Sequence, residues 1–281
     1  MTDINYFEDL EHSVTTALEE DIKSGDLTAS LIPEETQAEA NIICREDAVI
    51  CGRPWFDEVF RQVDPNIKIE WACEEGDSVK ENQHLCTLTG SARNILTAER
   101  SALNFLQTLS ATASVTAKYV EQLQNSRTQL LDTRKTIPGL RLAQKYAVAC
   151  GGGTNHRIGL YDAILIKENH IMAAGSIANA VATAKKDHPE ISVEVETENL
   201  DEVQQALDAG ADIIMLDNFS LDMMAQAVEL VARKAKLEVS GNVELDHLSE
   251  LVDTQVDFIS TGAITKHIQA VDLSMRFKMS T

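Results

Sequence analysis

Positive charge is scarce in this 281-residue chain: 24 Lys and Arg stand against 45 Asp and Glu, a net charge of −21. A chain this acidic lacks the broad basic face that nucleic acid or an anionic membrane surface requires, which argues against both as partners. It also lacks the run of about 20 unbroken apolar residues that a membrane-spanning helix needs. The first residues, MTDINYFEDLEH, are acidic and mixed, unlike a secretory signal or a basic transit peptide. Cys44, Cys51, Cys73, Cys86 and Cys150 are odd in number and widely spaced, with no CxxC pair. Neither a disulfide framework nor a zinc site is indicated, and the thiols read as reduced. The expectation is a cytoplasmic protein whose partner is a small anion. What is present supports a folded enzyme-sized chain: 44% hydrophobic and 25% charged residues suffice for a core. The length suits one large α/β domain or a barrel with a smaller companion.

One window opposes the general charge. From Thr133 to His170, six cations (Arg134, Lys135, Arg141, Lys145, Arg157 and Lys167) meet only Asp162 and Glu168, for a local net of +4. A site for a multiply charged anion is a reason to gather cations in so acidic a chain. The window also holds His156, His170 and the run Gly151-Gly152-Gly153, whose permissive backbone suits a lid or a turn.

Periodicity divides the chain. Ile4, Phe7, Leu10, Val14 and Leu18 recur at helical steps, with Asp3 available as N-cap, predicting a first amphipathic helix. Residues 38–96, with NIICREDAVICG, IKIEWACEEGDSV and QHLCTLTG, read as strands of a small, mostly antiparallel domain. Thr97 can cap a long helix running through AERSALNFLQTLSATASVTAKYVEQLQ, taken as the bridge between domains. From residue 129 apolar runs end at a polar residue and a helical stretch follows each. The marks at 167, 196, 217, 240 and 261 are 29, 21, 23 and 21 residues apart, the length of one βα unit. Such alternation implies a parallel sheet, doubly wound or closed into a β/α barrel. In a barrel, all these strand ends converge on one face, where such folds place their sites.

The residue types at those ends suit an anion site. Thr133-Arg134-Lys135 and Asn155-His156-Arg157 each put adjacent donors in one loop. Arg grips carboxylate or phosphate in a fork, while Lys acts as a point charge. Arg141 and Lys145, four apart, read instead as the exposed face of a helix. Glu196 and Asp217 each end an apolar strand and suit metal binding or a developing positive charge, with helix capping as the plainer role. Ser240-Gly241-Asn242 and Thr261-Gly262-Ala263 follow the last two strands, where barrels commonly bind phosphate. Lys167 at a strand end also leaves a Schiff-base aldolase open, and a binding relative without the reaction is a third possibility.

Taken together, DTRKTIPGLRLAQKYAV, GGGTNHRIGLYDAILIKENHI, VEVET, IIMLDNF, STGAITK, AERSALNFLQ and the early Gly25-Asp26-Leu27-Thr28 resemble the quinolinate phosphoribosyltransferase family over nearly the whole chain. The resemblance implies a sandwich-like α+β domain over 1–108, with 266–281 packing back on it, and a seven-stranded β/α barrel over 109–265. It implies phosphoribosyl transfer from phosphoribosyl pyrophosphate to quinolinate with decarboxylation, aided by Mg2+, in NAD biosynthesis. The substrate pocket would comprise Thr133, Arg134, Lys135, His156, Arg157 and Lys167, with Lys135, Glu196 and Asp217 catalytic and Mg2+ near the last two. The two glycine loops would take the 5-phosphate, and Arg100 would reach the neighbouring subunit's pocket in a homodimer. One departure from the family pattern, Ser110-Ala111-Thr112-Ala113-Ser114, predicts altered helix packing rather than lost activity.

Overall fold

The computed structural model describes residues 4–279 except Asn242. The Asp3 cap and the Asn242 loop position lie outside the described residues. Contacts divide the chain into two compact units. The first comprises the described part of Met1–Ala117, Ile137–Gly152 and the described part of His267–Thr281; the second comprises Lys118–Thr136 and Gly153–Lys266.

With elements numbered along the chain, the first unit contains α1 (Leu10–Ile22), β1 (Gln37–Cys44), β2 (Ala48–Val49), α2 (Arg53–Val63), β3 (Lys68–Trp71), β4 (Ser78–Val79) and β5 (His84–Ser91). It also holds most of α3 (Ala92–Gln122), with α4 (Arg141–Cys150) and β12 (Leu273–Met279). Its main sheet is antiparallel in the order β12-β1-β5-β3, beside a small β2-β4 pair. Strand β1 alternates buried Ala38, Ala40, Ile42 and Cys44 with more exposed residues, the period of a sheet covered on one face. Trp55, Phe56 and Phe60 of α2 complete that core.

Helix α1 begins at Leu10, not near Ile4, because Phe7 packs 5.7 Å from Trp55 and 5.2 Å from Tyr146, with Tyr6 5.6 Å from Tyr146. Thr97 does not cap α3, which starts directly after β5; its hydroxyl donates to Asp26 Oδ2 at 2.9 Å from within the helix. Lys145 is fully buried rather than on an exposed face. Its helix, α4, joins the first unit, with Ala143 and Ala147 in the same core as Trp55. Gly151 is a packing residue: a Cβ there would lie 2.5 Å from the Ala113 carbonyl oxygen, while Gly152 takes a φ of 85° at the turn. The departing Ser-Ala-Thr-Ala-Ser run also has a packing role. Ser110 Oγ accepts from Cys51 N–H at 3.0 Å and donates to Cys51 C=O at 3.1 Å, and Ser114 Oγ accepts from Val49 N–H at 2.8 Å.

The second unit alternates β6 (Gln129–Leu131), β7 (Ile164–Ile166), β8 (Val193–Thr197), β9 (Ile213–Asp217), β10 (Lys236–Ser240) and β11 (Phe258–Ser260) with helices. Those helices are α5 (Glu168–Ala174), α6 (Ile177–Asp187), α7 (Leu200–Asp208), α8 (Leu221–Val231), α9 (Leu248–Asp253) and α10 (Ala263–Lys266). The six strands form a parallel sheet in the order β6-β11-β10-β9-β8-β7. Thr154 adds a single parallel bridge to Leu131. Against the seven strands expected, the described residues thus give six strands and one bridge. Helices α6, α7 and α8 are each capped by a side chain, from Ser176, Asn199 and Ser220, which satisfies otherwise orphaned N–H groups and fixes where each strand hands over to its helix.

Candidate active site

In a strand, residues two apart share a face. Leu165 and Lys167, Glu194 and Glu196, Met215 and Asp217, and Glu238 and Ser240 therefore stack as pairs on one side of the second unit's sheet. Register aligns Glu196 with Met215 and Met215 with Glu238, and one step on aligns Asp217 with Ser240. The polar members fall at the carboxyl ends of the strands. There they border a cleft lined by Thr133, Arg134, Lys135, His156, Arg157 and Lys167. Leu165, Glu196, Met215, Glu238, Ser240 and Ser260 complete its wall. Eight of the residues singled out in the sequence thus meet in one place.

Each loop has a visible anchor. Asp132, fully buried at the end of β6, accepts from Asn155 Nδ2 at 2.7 Å and from the His156 N–H at 2.9 Å. This ties the Asn155-His156-Arg157 loop to the strand that launches Arg134 and Lys135. Thr133 Oγ1 accepts from the Lys135 N–H at 3.1 Å, and Thr265 Oγ1 donates to the Lys135 carbonyl at 2.8 Å. Gly262 lets Lys135 approach: a Cβ there would stand 2.8 Å from Lys135 Cδ. Lys167 Nζ is ion-paired with Glu196 Oε2, and His170, exposed, accepts the Lys167 N–H on Nδ1 at 3.0 Å.

Beneath the cations lies a buried acidic pair. His156 Nε2 stands 2.9 Å from Glu194 Oε2 and 3.5 Å from Glu238 Oε2, while its Nδ1 accepts the Arg157 N–H at 2.8 Å. Only a neutral ring accepts the Arg157 N–H on Nδ1, which places its one proton on Nε2, towards the two carboxylates. Burial, with the neighbouring Glu238 charge, pushes the Glu194 carboxyl up to about 7 against the His156 hydrogen bond. Burial first, and then the nearby Arg134 charge, push the Arg157 guanidinium down.

Other expected residues are not among those lining this cleft. Asp217 ends β9 beyond its wall, accepting from Asn218 Nδ2 at 3.1 Å. Gly241 has a φ of 92° and borders a separate cavity with Asn218 and His247. Thr261 is buried, donating to the Val243 carbonyl at 3.2 Å and accepting the Ala263 N–H at 3.1 Å. Arg100 is exposed on α3 in the first unit. Sequence reasoning missed Asp132, Glu194, Glu238 and Ser260. In VEVET and KLEVS the acids alternate with apolar residues, the pattern of a strand with a solvent face, so the sequence carried no signal for their burial.

Comparisons with known proteins agree with this architecture. The Quinolinate phosphoribosyl transferase, N-terminal domain, matches residues 26–110, and the C-terminal domain of the same name matches residues 112–276. The chain is 41% identical over 263 residues to a probable nicotinate-nucleotide pyrophosphorylase [carboxylating] of Synechocystis sp., covering 92% of this chain and 89% of that one. It is 38% identical over 262 residues to the protein of the same name from Bacillus subtilis, covering 93% and 91%. The solved nicotinate-nucleotide pyrophosphorylase from Francisella tularensis matches with a TM-score of 0.95 at 51% identity over 98% of each chain. With the two domain matches together spanning residues 26–276 and the cationic cleft at the strand ends, the chain belongs to the quinolinate phosphoribosyl transferase family.

Proposed function

We propose that the protein transfers the phosphoribosyl group of phosphoribosyl pyrophosphate to the ring nitrogen of quinolinate, releasing pyrophosphate and CO2 and forming nicotinate mononucleotide for NAD biosynthesis. The observation that carries this is the cleft: in a chain of net charge −21, Arg134, Lys135, Arg157 and Lys167 line one opening. Two carboxylates on quinolinate and the phosphate and pyrophosphate of the co-substrate supply the matching anions. Fork-shaped Arg134 and Arg157 suit the carboxylates, and Lys135 suits the leaving pyrophosphate as a point charge. Glu196, oriented by Lys167, and Asp217 stabilise the positive charge that grows on the ribose as pyrophosphate departs. Attack by the pyridine nitrogen leaves a cationic ring. The C2–carboxylate bond then breaks, its electron pair drawn towards that ring, and C2 takes a proton. No covalent nucleophile is needed, and the Lys167–Glu196 ion pair favours a binding role for the lysine over Schiff-base chemistry.

The hard carboxylate oxygens of Glu196 and Asp217, at the ends of adjacent strands, fit a Mg2+ ion shared with phosphates. Such an ion would neutralise charge on the pyrophosphate. Ser240, Gly241, Asn242, Thr261, Gly262 and Ala263 would receive the 5-phosphate through backbone N–H groups and hydroxyls. Arg100 would be supplied by the partner subunit of a homodimer, in the cytoplasm. The test is turnover of quinolinate and phosphoribosyl pyrophosphate with Mg2+, following nicotinate mononucleotide and CO2 together. Both products should form in equal amounts and neither should appear when nicotinate replaces quinolinate; no product from quinolinate overturns the assignment.

A further inference from the structure

His156 lines the cleft, yet both its ring nitrogens face protein: Nε2 meets Glu194 and Glu238, and Nδ1 takes the Arg157 N–H. The ring is thus a strut between two strands of the parallel sheet and the backbone of a cationic loop. The two carboxylates below it are 4% and 0% exposed. Beyond His156, neither Glu238 oxygen nor Glu194 Oε1 has a hydrogen-bond partner among the described residues. Keeping two acids buried and underused is expensive, and it places negative charge under a site for anions. Plain charge arithmetic makes that arrangement counterproductive. Positioning makes it intelligible: crowded cations repel, as Arg134 and Arg157 do, and a buried counter-charge holds them in one array before substrate arrives.

We propose that Glu194 and Glu238 are positioning residues of the anion site, acting through His156 to fix the Arg157 backbone so that its guanidinium meets a carboxylate dianion in a preformed geometry. This rests on the assignment of the cleft to quinolinate. Glu194 contacts the ring from β8 and Glu238 from β10, while Asp132 of the β6 end holds the preceding N–H. The imidazole is therefore pinned from two strands, and the backbone that carries it from the end of a third.

The two explanations predict opposite signs. If the carboxylates act only through their charge, Glu194→Gln and Glu238→Gln should tighten anion binding. If they position Arg157, each should weaken it, raising KM for quinolinate by about tenfold while kcat changes far less. A thermodynamic cycle tests whether the effect passes through the ring. Glu194→Gln should add nothing to His156→Asn, because both break the same link. Calorimetric binding of quinolinate and of inorganic pyrophosphate provides the same comparison without turnover, so loss of the functional assignment is distinguishable from loss of this one. In the wild type, the His156 Nε2 proton should be protected from solvent exchange in nitrogen-resolved NMR, a readout independent of whether any variant folds. Tighter binding in the glutamine variants, full additivity in the cycle, or a freely exchanging Nε2 proton overturns the proposal.

Discussion

Arg134 and Arg157 are close enough that the charge of one lowers the proton affinity of the other, a cost that an isolated protein has no reason to keep. A dianion between them would convert that repulsion into attraction. Replacing Arg134 by Ala should therefore lower kcat/KM for quinolinate by the equivalent of about 2–4 kcal/mol, as for loss of a preorganised donor. Steady-state kinetics on the variant checks this, and a near-wild-type value removes Arg134 from the pocket. At this scale the loop residues were legible because they invert the charge of the chain around them. Glu194 and Glu238 were not. In VEVET and KLEVS, acids alternating with valine or leucine look like the solvent face of an ordinary strand. Only the coverage of both faces in β8 and β10, with 0–4% exposure through Val193, Glu194 and Val195 and through Leu237, Glu238 and Val239, shows that the acids point into the protein.

Elements reveal a different limit of sequence periodicity. A capping residue is recognised by its type, but several polar residues near a helix start compete for the role. Thr97 has the right type and the wrong place. Its hydroxyl joins α3 to Asp26, whose Oδ1 also accepts the N–H groups of Thr28 and Ala29 at 2.9 and 3.0 Å. These bonds, that from Ala29 foremost, hold the Asp26 carboxyl below its ordinary value of 3.8. A depressed folded-state pKa means that the ionised form is favoured in the native state. Its contribution to stability is complete above the ordinary value and disappears as pH falls through the lower, native one. Asp26→Asn should accordingly lower Tm at neutral pH. The gap from the wild type should close as thermal melts are taken below the ordinary carboxylate range, because both chains then carry an uncharged side chain there. A gap independent of pH would mean that shape alone matters at this position. The early start of α3, the late start of α1 and the burial of Lys145 were all decided by tertiary packing, which helical spacing does not encode.

For the whole molecule, the repeat of 21–29 residues between polar strand ends was enough to announce a parallel sheet with its candidate site at one end. The partition into units was harder to read, because Ile137–Gly152 lies between two strands of the second unit and yet groups with the first. Arg100 and the cleft-lining cations belong to different units, and the proposed homodimer makes the origin of Arg100 at each cleft a measurable property. Subunits carrying Arg100→Ala and Arg134→Ala should each be nearly inactive as homodimers. A heterodimer of the two, isolated through distinct affinity tags, gives different results for the two arrangements. If Arg100 serves its own subunit's cleft, both sites carry one lesion and the heterodimer stays inactive. If it serves the partner's cleft, one site receives both lesions and the other receives none, so about half of the wild-type activity per dimer should return. Recovery on mixing two inactive variants requires that one site draw residues from two chains; a heterodimer as inactive as its parents confines the site to one subunit and removes Arg100 from the shared pocket.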